Sequence, residues 1–262
     1  MTFRNLGSFL KALQKAGDLH VVSAPVDPEY EAGEIAQRAV REGKPALLFT
    51  NVKGSKIPLA MNALATRGRI ERALGREPEA VGEELVAFVE RMKPPSVPAL
   101  WDSRATIARA LQARVVKRGT GASQAVKEPV DLDRLPVLRC WPGDGGRFFT
   151  WPMVLTHDPV TGGRNLGLYR LHQFDAQTTG MHWQIQKGGG FHYHEAEKRG
   201  EPLPVTVSLG ADPCLMLSAV APLPEGIDEL AFAAFLRGSP TPLARATRVQ
   251  GAWSPAEAEI VL

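Results

Sequence analysis

The sequence is poor in cysteine and has no long hydrophobic run. Its 262 residues include two cysteines, Cys140 and Cys214, whose separation fits neither a CxxC motif nor a zinc-finger spacing. We therefore expect two reduced, structural thiols. No stretch approaches the roughly 18 consecutive apolar residues of a membrane span, and the amphipathic start MTFRNLGSFLKALQKAGDL lacks the apolar core of a signal peptide. The sequence predicts a cytoplasmic protein without a membrane span.

The sequence also lacks a marked excess of one charge. It has 31 Lys and Arg against 28 Asp and Glu, a net charge of +3, and the basic residues are scattered among acidic ones. This pattern does not indicate a nucleic-acid partner and leaves anionic small molecules as candidate ligands. The HExxH spacing that places two histidines on one helical face is absent, which excludes a zincin-type site.

The first part of the sequence alternates helical and strand patterns. Apolar residues at helical spacing predict a helix from Leu6 that ends near Gly17, and another in EYEAGEIAQRAVREG. The runs HVVSAPVD and ALLFTNV predict strands that lead into turns, and MNALATRGRIERALG and EELVAFVERM predict two further helices. We interpret residues 1–115 as an α/β domain.

The second part, residues 116–262, is richer in strand patterns. KRGTGASQAVKEPVDLDRLP has no period and predicts a linker or surface crossing. FFTWPMVLTHDPVTGGRNLGLYRLHQF predicts two strands joined by the turn DPVTGG, and VTVSLG and CLMLSAV predict two more. HYHEAEKRG and IDELAFAAFLRG predict helices, each ended by a glycine. The overall prediction is an α+β protein whose second domain is a small barrel with helices packed on it.

Histidines are concentrated in one part of the sequence. Five of the six fall within residues 157–194, at His157, His172, His182, His192 and His194. Any one of them has a simple structural interpretation as a polar residue with satisfied hydrogen bonds. His192 is the strongest candidate ligand, because it follows a glycine run and opens a helix where a neutral imidazole could face a pocket. The run KGGG itself is a weak signal for a phosphate cradle.

Two further polar groups invite a functional interpretation. Asn165 and Arg170 are five residues apart, which in a regular strand places them on opposite faces. They could serve one site if the strand is irregular near Gly167; alternatively, Asn165 caps a turn and Arg170 lies at a rim. Asp228 and Glu229 fit an N-cap and a first helical turn, although the apolar, proline-rich loop before them suits a flat hydrophobic ligand.

Several motifs taken together resemble the UbiD family of reversible decarboxylases. They are GKPALLFTNVKG, TTGMHWQ, HYHEAEKRG, VSLGADP and, above all, APLPEGIDELAFAAFLRG. The resemblance implies a second domain with the split β-barrel of flavin reductases. It also implies prenylated FMN as the cofactor, held with a potassium ion and a divalent metal, commonly Mn²⁺, that bridges to the cofactor phosphate.

The resemblance assigns metal ligands to this sequence. The family's Asn matches Asn165, and its Glu, four residues after that of the PEG motif, matches Glu229. The His matches His192, with His194 as the alternative because the glycine loop varies in length. Amide and carboxylate oxygens with a neutral imidazole suit a hard or borderline divalent ion.

Other positions are implied to contact the cofactor or substrate. The family's active-site arginine matches Arg170, which would orient the substrate carboxylate, and cofactor contacts are expected at Thr150, Pro222 and Ile227. One wall of the cofactor pocket would then lie on the RNLGLYRLHQF strand. The family's acidic proton-donor pair normally follows EIVLEG, and this sequence ends at Leu262, so the resemblance implies that the C-terminal domain is absent.

The activity implied is the non-oxidative decarboxylation of an aromatic or α,β-unsaturated carboxylic acid, with hydroxybenzoate-type precursors of quinones as the preferred substrates. A flavin prenyltransferase would supply the cofactor, and the full-length protein would be a homo-oligomer. We expect the 262-residue chain alone to bind the cofactor weakly at most and not to turn over. The alternatives are a non-catalytic flavin-binding module and, from a different class, a metal-dependent hydrolase.

Overall fold

The computed structural model describes residues 3–91, 97–184, 186–224 and 226–262. The N-terminal region combines helices with a three-stranded sheet in the order β1-β2-β3. Its helices are α1 (Leu6–Lys15), α2 (Glu31–Arg41), α3 (Arg67–Leu74), α4 (Pro78–Arg91), α5 (Val97–Asp102) and α6 (Arg104–Gln112), and its strands are β1 (Leu19–Val22), β2 (Ala46–Phe49) and β3 (Leu59–Met61). Parallel pairing of β1 with β2 across α2 confirms the predicted α/β pattern.

The third predicted helix is shorter than its sequence pattern suggests. The prediction began at Met61, but this residue ends β3, which pairs antiparallel with β2. The helix begins at Arg67, after Thr66, whose side chain accepts a hydrogen bond from the Arg69 amide. Sheet pairing and an N-cap therefore set this boundary, because both satisfy backbone groups that helical periodicity alone does not account for.

The C-terminal region contains three small sheets, in the orders β13-β10-β6-β7, β12-β11-β4 and β5-β8-β9. The strands are β4 (Val115–Arg118), β5 (Arg147–Phe149), β6 (Met153–His157), β7 (Arg164–Leu168), β8 (Leu171–Gln173), β9 (Thr179–Met181), β10 (Val205–Leu209), β11 (Thr241–Arg245), β12 (Trp253–Pro255) and β13 (Ile260–Val261), and the helices are α7 (Gly188–Lys198), α8 (Pro213–Ser218) and α9 (Glu229–Arg237). Over the described residues none of these sheets closes. The mixed α and β class is confirmed, whereas the split barrel and the domain boundary near residue 115 stay predictions.

Two strand predictions in this region were wrong. CLMLSAV is helix α8, not a strand: Asp212 caps it by accepting the Leu215 amide, and Pro213 occupies its first turn. The FFTWPMVLTH and RNLGLYRLHQF segments each form two short strands in different sheets, with β5 and β8 in one and β6 and β7 in another. The chain therefore turns at Thr150 to Pro152 and again at Tyr169 to Arg170.

The sheet that contains β6 and β7 is covered on both faces. Met153, Leu155 and Leu166 pack with residues of α8 and α9 in one apolar cluster. Val154 and Tyr169 belong to a second cluster on the opposite face. This alternation follows from the two-residue period of a strand. No described helix has both the length and the apolarity that a membrane crossing requires.

Candidate metal and cofactor site

The β6–β7 hairpin provides the base of the candidate site. Its turn is the predicted DPVTGG sequence, in which the Asp158 carboxylate accepts the amides of Val160 (2.7 Å) and Thr161 (3.2 Å). Gly162 adopts a φ of 72°, which a residue with a side chain rarely adopts. The resulting register pairs Thr156 with Asn165. Because paired residues project to the same face of a sheet, both side chains lie on the side covered by α7.

His192 reaches this face from α7. The prediction that His192 opens this helix was wrong, because the glycine run is part of the helix, which begins at Gly188. His192 is buried, whereas His194 is exposed. Its Nδ1 lies 2.8 Å from the hydroxyl of Thr156, and no described residue forms a hydrogen bond with its Nε2. Burial lowers the pKa of His192, so the ring is neutral near pH 7. A neutral imidazole with one nitrogen held by the protein and the other available is the usual form of a histidine metal ligand.

Asn165 lies beside the first turn of α7. Its Nδ2 donates to the hydroxyl of Tyr169 at 3.2 Å, and its Oδ1 has no hydrogen-bond partner among the described residues. A side chain at Gly188 would bring a Cβ to 2.3 Å from that Oδ1. The glycine run therefore allows α7 to begin against Asn165, and this close approach is a role that the sequence did not suggest.

Glu229 approaches from the other side, as the first residue of α9. Asp228 fixes the start of α9 by accepting the Leu230 amide at 2.9 Å and by pairing with Arg164. The Glu229 Oε2 accepts the Leu166 amide at 3.1 Å, and β7 is the outer strand of its sheet. Burial raises the pKa of Glu229. Glu229 therefore reaches the edge of β7 directly beside Asn165.

The three predicted metal ligands are thus attached to neighbouring points of one hairpin. His192 forms a hydrogen bond with Thr156, and Asn165 is the strand partner of Thr156. Glu229 accepts a hydrogen bond from the amide of the residue that follows Asn165. Within the described residues no group of three or more His, Cys, Asp or Glu side chains could hold a metal ion. The predicted set combines a His and a Glu with an Asn, and its convergence on one ion stays a prediction.

Arg170 contacts other residues than these three. Its Nη2 donates to Asp144 at 2.9 Å, and its guanidinium lies 3.7 Å from the ring centre of Phe148. The hydrogen bond from Arg170 lowers the pKa of Asp144. No described hydrogen bond or ion pair joins Arg170 to Asn165, His192 or Glu229.

The strand irregularity that the sequence suggested lies at a different residue. Gly167 pairs regularly with Val154, so the strand does not bulge there, and the break falls between β7 and β8. A Cβ at Gly167 would lie 2.5 Å from the Tyr169 ring. The glycine therefore provides space for the Tyr169 ring to fold back over the strand.

The remaining predicted positions lie near the surface. Thr150 is exposed between β5 and β6, and Pro222 and Ile227 are exposed in the loop between α8 and α9. Glu225 of the same loop lies outside the described residues. The exposure of Thr150, Pro222 and Ile227 is compatible with contact to a flat ligand, and the cofactor role of these residues stays a prediction.

The surroundings of the other histidines and of the two cysteines indicate structural roles. The His172 ring stacks on Phe148 with ring centres 4.4 Å apart, His182 is exposed, and burial lowers the pKa of His157. Both cysteines are free, and burial raises the pKa of Cys214 to about 12. A thiol with so high a pKa is protonated near neutral pH and is a poor nucleophile.

Sequence reasoning missed Thr156 and Tyr169, which hold His192 and Asn165. The Tyr169 signal was available, because Asn165, Gly167 and Tyr169 alternate along one face of the strand pattern. Thr156 could have been found only by pairing β6 with β7 through the DPVTGG turn, since its contact with His192 is long-range.

Comparison with known proteins identifies the family. The 3-octaprenyl-4-hydroxybenzoate carboxy-lyase Rift-related domain matches residues 114–262, and the N-terminal domain of the same family matches residues 10–89. An uncharacterized protein of Archaeoglobus fulgidus is 41% identical over 100% of this chain and 54% of its own length. A Chlamydia pneumoniae protein, named as one subunit of a 4-hydroxybenzoate decarboxylase, is 42% identical over 83% of this chain and 37% of its own length.

Solved structures share the fold. The UbiD-class enzyme HmfF from Pelotomaculum thermopropionicum, in complex with prFMN, superposes with a TM-score of 0.82 at 27% identity, over 99% of this chain and 56% of that one. The vanillic acid decarboxylase of Sedimentibacter hydroxybenzoicus in closed form has a TM-score of 0.82 at 23% identity, over 100% of this chain and 54% of that one. The chain spans about half the length of these proteins or less. The matched domains and motifs establish that the chain belongs to the UbiD family of carboxy-lyases.

Proposed function

We propose that this chain provides the cofactor and metal site of a non-oxidative decarboxylase of aromatic or α,β-unsaturated carboxylic acids. The observation that carries the proposal is the attachment of Asn165, His192 and Glu229 to adjacent points of the β6–β7 hairpin. Membership of the UbiD family and similarity to an enzyme whose structure contains prFMN support the cofactor assignment. The name of the Chlamydia pneumoniae relative and the family description support hydroxybenzoate-type substrates and a role in quinone biosynthesis.

The donor atoms fit a divalent ion. Asn165 Oδ1 and His192 Nε2 have no described hydrogen-bond partner, and the Glu229 carboxylate is held at one oxygen by the Leu166 amide. Such a set suits Mn²⁺ or a similar ion that also binds phosphate oxygens. In the proposed site these three residues would hold the divalent ion, and Thr150, Pro222 and Ile227 would contact the flavin of prenylated FMN. A potassium ion is a further proposed cofactor.

Prenylated FMN, when bound, supplies the electron sink that makes loss of carbon dioxide feasible. The role of the chain is to position the reactants. Arg170 binds the carboxylate of the substrate, because a guanidinium presents several donors in a fork that matches a carboxylate. Asp144 and the Phe148 ring hold that guanidinium on one side and leave 44% of the Arg170 side chain exposed for a ligand.

A second candidate function is a flavin-binding module without turnover. The pairing of Arg170 with Asp144 favours it, since no described hydrogen bond joins Arg170 to a predicted metal ligand. For both versions we further propose a cytoplasmic location, a flavin prenyltransferase that supplies the cofactor, and a homo-oligomer.

Reconstitution separates the two functions. The chain is co-expressed with a flavin prenyltransferase and purified, its absorption spectrum is recorded, and carbon dioxide release from 4-hydroxybenzoate is measured. A decarboxylase binds the flavin and releases carbon dioxide, and its Arg170→Ala variant keeps the flavin but loses at least about 100-fold in turnover. The assay is run on this chain and on the same chain extended by the C-terminal part of a UbiD-family relative, because this chain alone is expected not to turn over. Flavin binding without carbon dioxide release by both proteins supports the module, and absence of flavin from both proteins contradicts both functions.

A further inference from the structure

Tyr169 joins two parts of the candidate site through one hydroxyl group. The residue is 2% exposed, and its oxygen accepts the Gly189 amide at 2.8 Å and the Asn165 Nδ2 at 3.2 Å. One donor belongs to the first turn of α7 and the other to β7. A single buried oxygen therefore fixes the start of the helix that carries His192 relative to the strand that carries Asn165.

The sequence provides the space that this contact requires. Asn165, Gly167 and Tyr169 alternate along one strand face, and the absent side chain of Gly167 lets the Tyr169 ring fold back over the strand. The ring packs against Trp183, with ring centres 5.0 Å apart, and a Cβ at Gly189 would lie 2.8 Å from its Cζ. Gly167, Gly189 and the Trp183 indole thus together fix the position of the Tyr169 ring.

We propose that Tyr169 is a positioning residue that turns the Asn165 amide so that Oδ1, rather than Nδ2, faces the metal site, and that sets the start of α7 beside it. The inference rests on the proposed function, because only a bound ion makes the choice of amide atom matter. An amide whose NH₂ group is occupied by the protein presents its carbonyl oxygen, the atom that can ligate a cation. Groups that orient metal ligands in this way typically change metal affinity 10- to 100-fold when they are removed.

The hydroxyl and the ring of Tyr169 make different contacts. An aromatic residue kept only for packing would not need the oxygen, since the ring contacts to Trp183 and Gly189 are apolar.

Tyr169→Phe tests the hydroxyl while keeping the ring, and Tyr193→Phe is the matched control. Tyr193 stacks on the same Trp183 indole, with ring centres 5.8 Å apart, but it is exposed, and its hydroxyl forms a hydrogen bond only with Glu197 among the described residues. In the metal-free chain, NMR follows the Asn165 side-chain amide and hydrogen exchange at the Gly189 amide. Electron paramagnetic resonance of free Mn²⁺ then gives the Mn²⁺ dissociation constant.

We expect Tyr169→Phe to shift the Asn165 signals, to speed exchange at Gly189, and to weaken Mn²⁺ binding by about 10- to 100-fold, with none of these changes in Tyr193→Phe. Unaltered Asn165 signals in Tyr169→Phe overturn the inference, and so does Mn²⁺ binding that matches the parent chain despite shifted signals. If the parent chain itself binds no Mn²⁺, the proposed metal site fails, and the Asn165 signals alone decide whether Tyr169 orients that amide.

Discussion

Arg69 in the N-terminal region and the polar side chains at the β6–β7 hairpin differ in how fully the chain satisfies their hydrogen bonds. In the N-terminal region, Arg69 is 2% exposed and donates to both oxygens of Asp18, at 2.7 to 3.1 Å. It also donates to the carbonyls of Asn62 at 3.0 Å and Lys44 at 2.6 Å. Every guanidinium nitrogen therefore has a partner in the chain.

The β6–β7 hairpin shows the opposite pattern. Asn165 and His192 each use one polar atom for the fold and leave the other without a described partner, and one Glu229 oxygen is held by a backbone amide. Arg69 recovers its desolvation cost within the chain, whereas the free Asn165 and His192 atoms are not among the fully buried atoms that lack a partner and so stay accessible. The difference teaches that a polar group with complete bonds serves the fold, and that accessible free polar atoms on neighbouring residues are candidates for binding a ligand.

Arg69→Met should produce the largest loss of stability. It leaves the Asp18 carboxylate and two carbonyls without their donor, which typically costs about 3–5 kcal/mol. The free energy of unfolding in urea measures the effect. Arg67→Ala is the control, because the ion pairs of Arg67 with Glu71, Glu77 and Glu79 lie at the surface, so the variant should change the value by about 1 kcal/mol at most. Equal losses in the two variants would remove the contrast between the regions.

Gly167→Ala should have an intermediate effect, through packing rather than hydrogen bonding. The added Cβ would lie 2.5 Å from the Tyr169 ring, and overpacking of this kind costs about 1–3 kcal/mol. Gly68→Ala in α3 is the control, since its Cβ would have no neighbour within 4 Å and alanine favours the helix. Urea unfolding compares the two. A neutral Gly167→Ala would show that the hairpin tolerates displacement of Tyr169.

Asp144→Asn should have the smallest effect, below about 1 kcal/mol at pH 7, because 44% of the side chain of its partner Arg170 is exposed to solvent. The sign follows from the lowered pKa of Asp144, caused first by its hydrogen bond from Arg170. A carboxylate with a lowered folded-state pKa stabilises the protein above its unfolded pKa of about 4 and loses this contribution as the pH falls through the folded value. Urea midpoints at pH 7 and pH 3 should therefore differ less between parent and variant at the lower pH. A difference that grows at pH 3 would contradict the assignment.

Local patterns in the sequence predicted much of this fold. Helices α1, α2, α7 and α9 follow from apolar spacing and glycine ends, and the β6–β7 hairpin follows from DPVTGG. The CLMLSAV prediction was wrong because an apolar run of this length fits a buried helix as well as a strand, and the Asp212 cap with Pro213 decides between them. The strand breaks at Thr150 and Tyr169 depend on which sheet each half joins, which no local pattern specifies.

For the candidate site, the motif resemblance chose Asn165, His192 and Glu229, and the structure attaches all three to one hairpin. The partners that hold them could not be chosen in the same way. Thr156 contacts His192 across 36 positions of sequence, and Glu229 contacts Leu166 across 63. Such contacts depend on tertiary packing, so periodicity within one element carries no information about them.

The central claim is that Asn165 Oδ1, His192 Nε2 and the Glu229 carboxylate form one ion site at the β6–β7 hairpin. Binding of Mn²⁺ in the presence of FMN tests this claim most directly. The parent chain is compared with Asn165→Ala, His192→Ala, Glu229→Ala and His194→Ala by electron paramagnetic resonance of free Mn²⁺. We predict that the parent binds Mn²⁺, that the first three variants bind it at least about 10-fold more weakly, and that His194→Ala binds it as the parent does. Equal losses in His192→Ala and His194→Ala, or no binding by the parent chain, would contradict the account.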